Sequence, residues 1–165
     1  MALLAIIGPL FQISKSGFGM LTYYTTLSNS LVAAFSTYMV WAMVTGRDVS
    51  SNRFLRLKAG LTMAILITFV IYHIMLRPLE SQFWRPENLL CHYITPLYFC
   101  FDTLVFDPSR TYKWYDAFLW TLLPVAYLFF AIINGLFIHI AIPGGKNGYF
   151  AYFFLNGPKY GWHLV

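Results

Sequence analysis

The sequence predicts an all-α fold, a polytopic transmembrane helix bundle, on three observations. Of its 165 residues, 59% are apolar and only 10% charged, against about 45–50% and about 25% in ordinary soluble domains. Four apolar runs are each long enough to cross the roughly 30 Å of bilayer hydrocarbon. The basic residues gather in the short segments between runs, as membrane topology requires. A chain so poor in charge could not cover itself in water, whereas lipid is the expected solvent for such a surface.

The runs are read in order at 2–13, 21–44, 59–76, 89–106 and 117–142, with 12, 24, 18, 18 and 26 residues. The first reaches only about 18 Å as a helix. It has no basic leader and no small-residue cleavage site, so it is read as a shortened first span rather than a signal peptide. Pro96 and Pro124 sit inside runs and are expected to kink them. Asp107-Pro108-Ser109 and Pro143-Gly144-Gly145 are turn signals at run ends. The end of the chain, 149–165, is aromatic but carries Asn156, Gly157, Pro158 and Lys159, which suits a membrane interface. Aromatics make up 20% of the chain; Phe suits the lipid face, and Tyr and Trp the two interfaces. No soluble domain or internal repeat is visible, and residues 1–165 read as one transmembrane helical domain.

The net charge of +5 forms no basic stripe of the kind nucleic acid needs, so no nucleic-acid partner is expected. Cys91 and Cys100, nine residues apart, project from nearly opposite helix faces and cannot pair. Two such thiols make no metal site, and no metal or cofactor is expected. Arg47, Arg53, Arg56 and Lys58 cluster in one loop, and Arg110 and Lys113 in another on the same side. The opposite side has Lys15, Arg77 and Arg85 beside Glu80 and Glu87, then Lys146 and Lys159. The compact cluster places the loops from Gly46 to Lys58 and from Asp107 to Tyr115 in the cytoplasm.

In a bilayer the informative residues are the polar ones inside the spans: Thr25, Ser28, Asn29, His73, His92, Asp102, Asn134 and His139. With this topology Thr25, His73, His92 and His139 fall at similar depth near the outer ends of four different helices, which points to a shared polar cavity. A structural reading stands beside it, because Thr in a membrane helix commonly bonds its own backbone or a neighbouring helix. Thr25, Ser28 and Asn29 share one face. That face can pack against a neighbour, or present a hydroxyl beside an amide donor for acyl transfer. Asp102 is ten residues from His92, about 15 Å along a helix axis, so it cannot orient that imidazole. A buried structural bond and a proton path both remain open for it.

Tyr23-Tyr24-Thr25-Thr26-Leu27-Ser28-Asn29, then His92-Tyr93-Ile94-Thr95-Pro96 with Asp102 following, then Trp114-Tyr115-Asp116-Ala117, resemble a bacterial family of six-helix integral membrane proteins. That family is related to the androgen-induced-gene-like membrane hydrolases of animals. The resemblance covers nearly the whole chain. It implies a six-helix bundle in which the first helix is short here and a sixth, after Trp162, is missing, as in a chain truncated at both ends. It implies cleavage of fatty acid esters, with Thr25 matching the nucleophile and His92 the base. The expectation is therefore an integral protein of the bacterial plasma membrane, with membrane lipids as partners and a lipid-like small molecule as substrate. Asn29 and Ser28 are candidate oxyanion or substrate contacts; His73, Asp102, Asn134 and His139 are expected as other buried polar groups. The alternative is a non-enzymatic membrane protein, such as a small transporter or an assembly factor, using the buried His and Asp residues as a proton or substrate path.

Overall fold

A computed structural model describes residues 2–108 and 112–161, and these contain helices and turns without strands. Helix α1 is Ala2–Ser16 and α2 is Tyr24–Val44. Helix α3 runs Asn52–Leu79, α4 runs Pro86–Phe106 and α5 runs Asp116–Ile138. The chain after α5 folds back along the bundle, and the last helix among the described residues is the short α6, Gly157–Tyr160. Among the described residues, α2 to α5 are long and apolar enough to cross a membrane, while α1 is shorter. At 15 residues it covers about 22 Å. The architecture is that of a multi-pass helical membrane protein. Arg110 and the sixth span expected after Trp162 lie outside the described residues.

Two apolar clusters hold the bundle. Ala5, Val32, Ala33, Phe35, Ile65 and Phe99 join α1 to α2, α3 and α4. Tyr24, Tyr127, Ala131, Phe150, Phe154 and Leu155 join α2 and α5 to the C-terminal segment. The outward faces carry Leu104, Phe118, Leu122, Phe129 and Phe137, side chains for which lipid is the natural contact. Trp84 and Trp114 stand exposed at opposite ends of the bundle, where amphipathic rings meet the two interfaces.

The end holding the α2–α3 and α4–α5 connections is tied by ion pairs. Arg56 meets Asp116, its Nε 2.8 Å from both carboxylate oxygens. Lys58 Nζ lies 2.7 Å from Asp102 and 2.5 Å from Asp107. This corrects the expected loop from Gly46 to Lys58. Helix α3 already begins at Asn52, so Arg53, Arg56 and Lys58 ride on its first turns. Lys58 is buried, which its two carboxylate partners make tolerable.

At the other end, α3, α4 and α5 each contain a π-helical turn, at Tyr72–Leu76, Leu90–Ile94 and Asn134–Ile138. A π turn shifts the facing of the residues around it relative to an α-helix and is frequent at functional sites. In α4 it ends two residues before Pro96, which has no N–H to give to an α-helical ladder.

Candidate active site

Thr25 is the second residue of α2 and His92 lies in the π turn of α4. Both are buried, at 7% and 8% exposure, and Oγ1 of Thr25 is 3.3 Å from Nε2 of His92. The other ring nitrogen, Nδ1, is 3.0 Å from the main-chain oxygen of Asn88. A carbonyl can only accept, so Nδ1 carries the proton. Nε2 is then unprotonated and accepts from the Thr25 hydroxyl. That is the tautomer a general base needs.

The imidazole is also held from its face. Tyr72 stacks on it with ring centroids 3.8 Å apart and planes 23° apart. The Asn88 amide nitrogen donates to the Tyr72 hydroxyl at 2.5 Å and to the Phe83 carbonyl at 2.9 Å. Asn88 thus steadies both the ring that stacks on His92 and the backbone that orients it.

The C-terminal segment supplies a third side chain. The Tyr152 oxygen accepts the Thr25 N–H at 3.3 Å and lies 3.4 Å from Oγ1. With the threonine proton directed at His92, the phenol is the donor to Oγ1. Burial pushes the Tyr152 pKa above its usual value, which keeps the phenol a donor. The neighbouring tyrosines lock the segment around Thr25. Tyr23 donates to the Pro143 carbonyl at 3.0 Å, Tyr24 to the Ala64 carbonyl at 3.1 Å, and Tyr127 to the Thr22 carbonyl at 2.9 Å. Phe150 lies against Gly135 so closely that a Cβ there would sit 2.1 Å from its ring.

Thr25, His92 and Tyr152 line a polar cavity of about 500 Å³ whose wall also carries Lys15, Arg85 and Glu87. Lys15 and Glu87 are paired at 2.6 Å. Water and a polar group both fit such a space. No group of His, Cys, Asp and Glu able to hold a metal occurs among the described residues.

The other residues singled out from sequence do not line the reacting atoms. Both hydrogens of the Asn29 amide are taken, by the Thr25 carbonyl at 2.8 Å and the Cys91 carbonyl at 3.0 Å. This corrects its expected oxyanion contact: Asn29 instead straps α2 to α4 beside His92. Ser28 turns toward α3, 2.8 Å from the Thr68 hydroxyl, and is likewise helix glue. His73 and His139 are exposed rather than buried. His73 meets the Tyr93 hydroxyl at 3.0 Å, because the π turn of α3 faces Tyr72, not its neighbour, into the bundle. His139 follows the end of α5 in a left-handed conformation, φ 63°, with its ring against Tyr149. Asn134 is buried and holds the turn after α5, donating to the Ile140 and Tyr149 carbonyls at 3.1 and 2.8 Å. Asp102 is half-buried at the far end, on Lys58.

Tyr152, Tyr72 and Asn88 were not singled out from sequence. Tyr152 carried only the weak signal of an aromatic, interfacial chain end. Comparison with known protein families, curated proteins and solved structures finds no match to this chain.

Proposed function

We propose that this multi-pass membrane protein is an intramembrane hydrolase of lipid (fatty acid) esters, with Thr25 as nucleophile and His92 as base. The observation that carries it is the 3.3 Å contact of Thr25 Oγ1 with a His92 Nε2 whose tautomer is set by the Asn88 carbonyl. A hydroxyl is a weak nucleophile until a base touches it, and the base must itself be oriented. The resemblance of the Thr25 and His92 segments to the membrane ester hydrolases supports the same assignment.

In the first half-reaction Oγ1 bonds to the ester carbonyl carbon while Nε2 takes its proton. The carbonyl oxygen becomes an oxyanion. Tyr152, 3.4 Å from Oγ1, is the side-chain donor assigned to that charge, and Thr25 itself sits at the positive, N-terminal end of α2. As the tetrahedral species collapses, the bond to the alcohol breaks and Nε2 returns the proton to the departing oxygen. Water from the polar cavity then attacks the acyl-threonine and gives a proton to Nε2. The acid leaves, and Thr25 regains its hydrogen. Neither a metal nor a cofactor enters any step.

We place the protein in the bacterial plasma membrane, with the end holding the ion pairs of Arg56 and Lys58 in the cytoplasm and the Thr25 end in the outer leaflet. The arginine and lysine cluster from Arg47 to Lys58 supports the orientation, and the resemblance to the bacterial family supports the choice of membrane. A transport reading leans on Asp102, which is engaged with Lys58, and no feature of the geometry favours it.

The test is turnover of a long-chain ester by the full chain in nanodiscs. Thr25→Ala and His92→Ala should each abolish it without loss of the folded bundle. Wild-type turnover in folded Thr25→Ala would refute the assignment.

A further inference from the structure

Thr25 borders two cavities of different character, one lined by mixed polar, charged and apolar side chains and one almost wholly apolar. Beside the polar one lies a second, of about 360 Å³, walled by Ile67, Ile71, Met75, Val125, Leu128 and Leu155. Thr25, Tyr72, Leu76 and Tyr152 belong to both walls and form the partition between them. The second cavity lies against α3 and α5. Val125 and Leu128 of this wall are 44% and 36% exposed, so the cavity is open at α5, one of the helices long and apolar enough to cross a membrane.

An ester has the same division, an acyl chain on one side of its carbonyl and an alcohol on the other. A hydrocarbon chain passes from lipid into an apolar cavity without meeting water, since lipid tails and such a wall are alike as solvents. The first cavity carries Lys15, Arg85 and Glu87 on its wall, whose solvation a hydrocarbon chain would displace, so it is the poorer seat for such a chain. A hydrophilic alcohol finds hydrogen-bond partners there.

We propose that the apolar cavity seats the single acyl chain of the substrate, taken sideways from the bilayer between α3 and α5, while the polar cavity receives a hydrophilic alcohol such as a glycerol. The carbonyl is thereby delivered to Thr25 Oγ1 at the partition. The substrate class is a monoacyl ester of a polyol. This inference rests on the hydrolase assignment above and adds chain seating and alcohol class to it.

The experiment compares three substrates, 1-oleoylglycerol, cholesteryl oleate and 4-nitrophenyl acetate, on the full chain in nanodiscs. Leu128→Trp fills the apolar cavity from α5, away from Thr25. It should lower kcat/KM for 1-oleoylglycerol on the order of tenfold or more relative to that for the acetate. Val125→Trp provides the same test if Leu128→Trp does not fold. The wild type should prefer 1-oleoylglycerol to cholesteryl oleate. Equal losses on the oleoyl and acetyl esters, no loss on either, or a preference for cholesteryl oleate would overturn the proposed division. Absence of any Thr25-dependent acetate turnover in folded wild type would instead remove the hydrolase assignment itself.

Discussion

His92 donates its Nδ1–H to the main-chain oxygen of Asn88, 3.0 Å away. The group that orients the base is thus a backbone carbonyl of the same helix, not a carboxylate. In a low-dielectric interior this avoids burying a charge beside the imidazole. It also makes the local helix geometry part of the site, because the carbonyl is positioned by the α4 backbone leading into the π turn.

Tyr152→Phe removes one hydroxyl and keeps the ring. If the phenol stabilises the charge that develops beside Thr25, kcat should fall on the order of 10²–10³-fold with little change in KM. The steady-state parameters of the folded variant decide this. An unchanged kcat would assign Tyr152 to packing alone.

Asn29→Ala leaves the Thr25 and Cys91 carbonyls without their shared donor. The expected cost is about 1–3 kcal/mol of stability, read as a lower unfolding midpoint in detergent. Ser28→Ala removes a contact with the Thr68 hydroxyl and one with the Thr25 carbonyl, but the Asn29 amide still donates to that carbonyl, so most of the activity should be retained. Full stability of Asn29→Ala would contradict the strap assigned to it.

Gly135→Ala tests whether the C-terminal segment holds Tyr152 in place. The added methyl group would collide with the Phe150 ring, displacing the segment. Activity should drop, and Phe150→Leu in the same chain should restore part of it by making room. A fully active Gly135→Ala would show that the segment tolerates displacement.

Lys58→Met strands Asp102 and Asp107, which both point at the lysine. Breaking a buried pair on one side costs about 3–5 kcal/mol, so expression and thermal midpoint should fall sharply. Adding Asp102→Asn and Asp107→Asn should recover part of the loss. A midpoint unchanged by Lys58→Met alone would mean that the lysine is better solvated than its burial indicates.

The bundle was legible because apolar run length is nearly sufficient to mark a spanning helix. Thr25 and His92 were legible as a pair in depth, because spans alternate in direction and few polar residues lie within them. Which helical faces meet was not legible. The 3.6-residue period fails across a π turn, so His73 and His139 looked equivalent to His92. Asn29 looked like a free donor, because the carbonyls that consume it belong to backbone that every residue shares. Tyr152 is 127 residues from Thr25 in a segment without helical periodicity. Its placement depends on Phe150 over Gly135 and on the turn held by Asn134. The start of α3 was misplaced because Arg53, Arg56 and Lys58 read as loop until their carboxylate partners are known.

Covalent labelling of the nucleophile, in which the hydroxyl oxygen bonds to phosphorus and fluoride leaves, tests the assignment of Thr25 most directly. The folded full chain in nanodiscs is treated with a fluorophosphonate bearing a long alkyl chain, digested, and the modified peptide sequenced by mass spectrometry. The expected result is a single adduct on Thr25, absent from Thr25→Ala and strongly reduced in His92→Ala, where the hydroxyl has lost its base. An adduct on another residue, or none in wild type that hydrolyses lipid esters, would contradict Thr25 as the nucleophile.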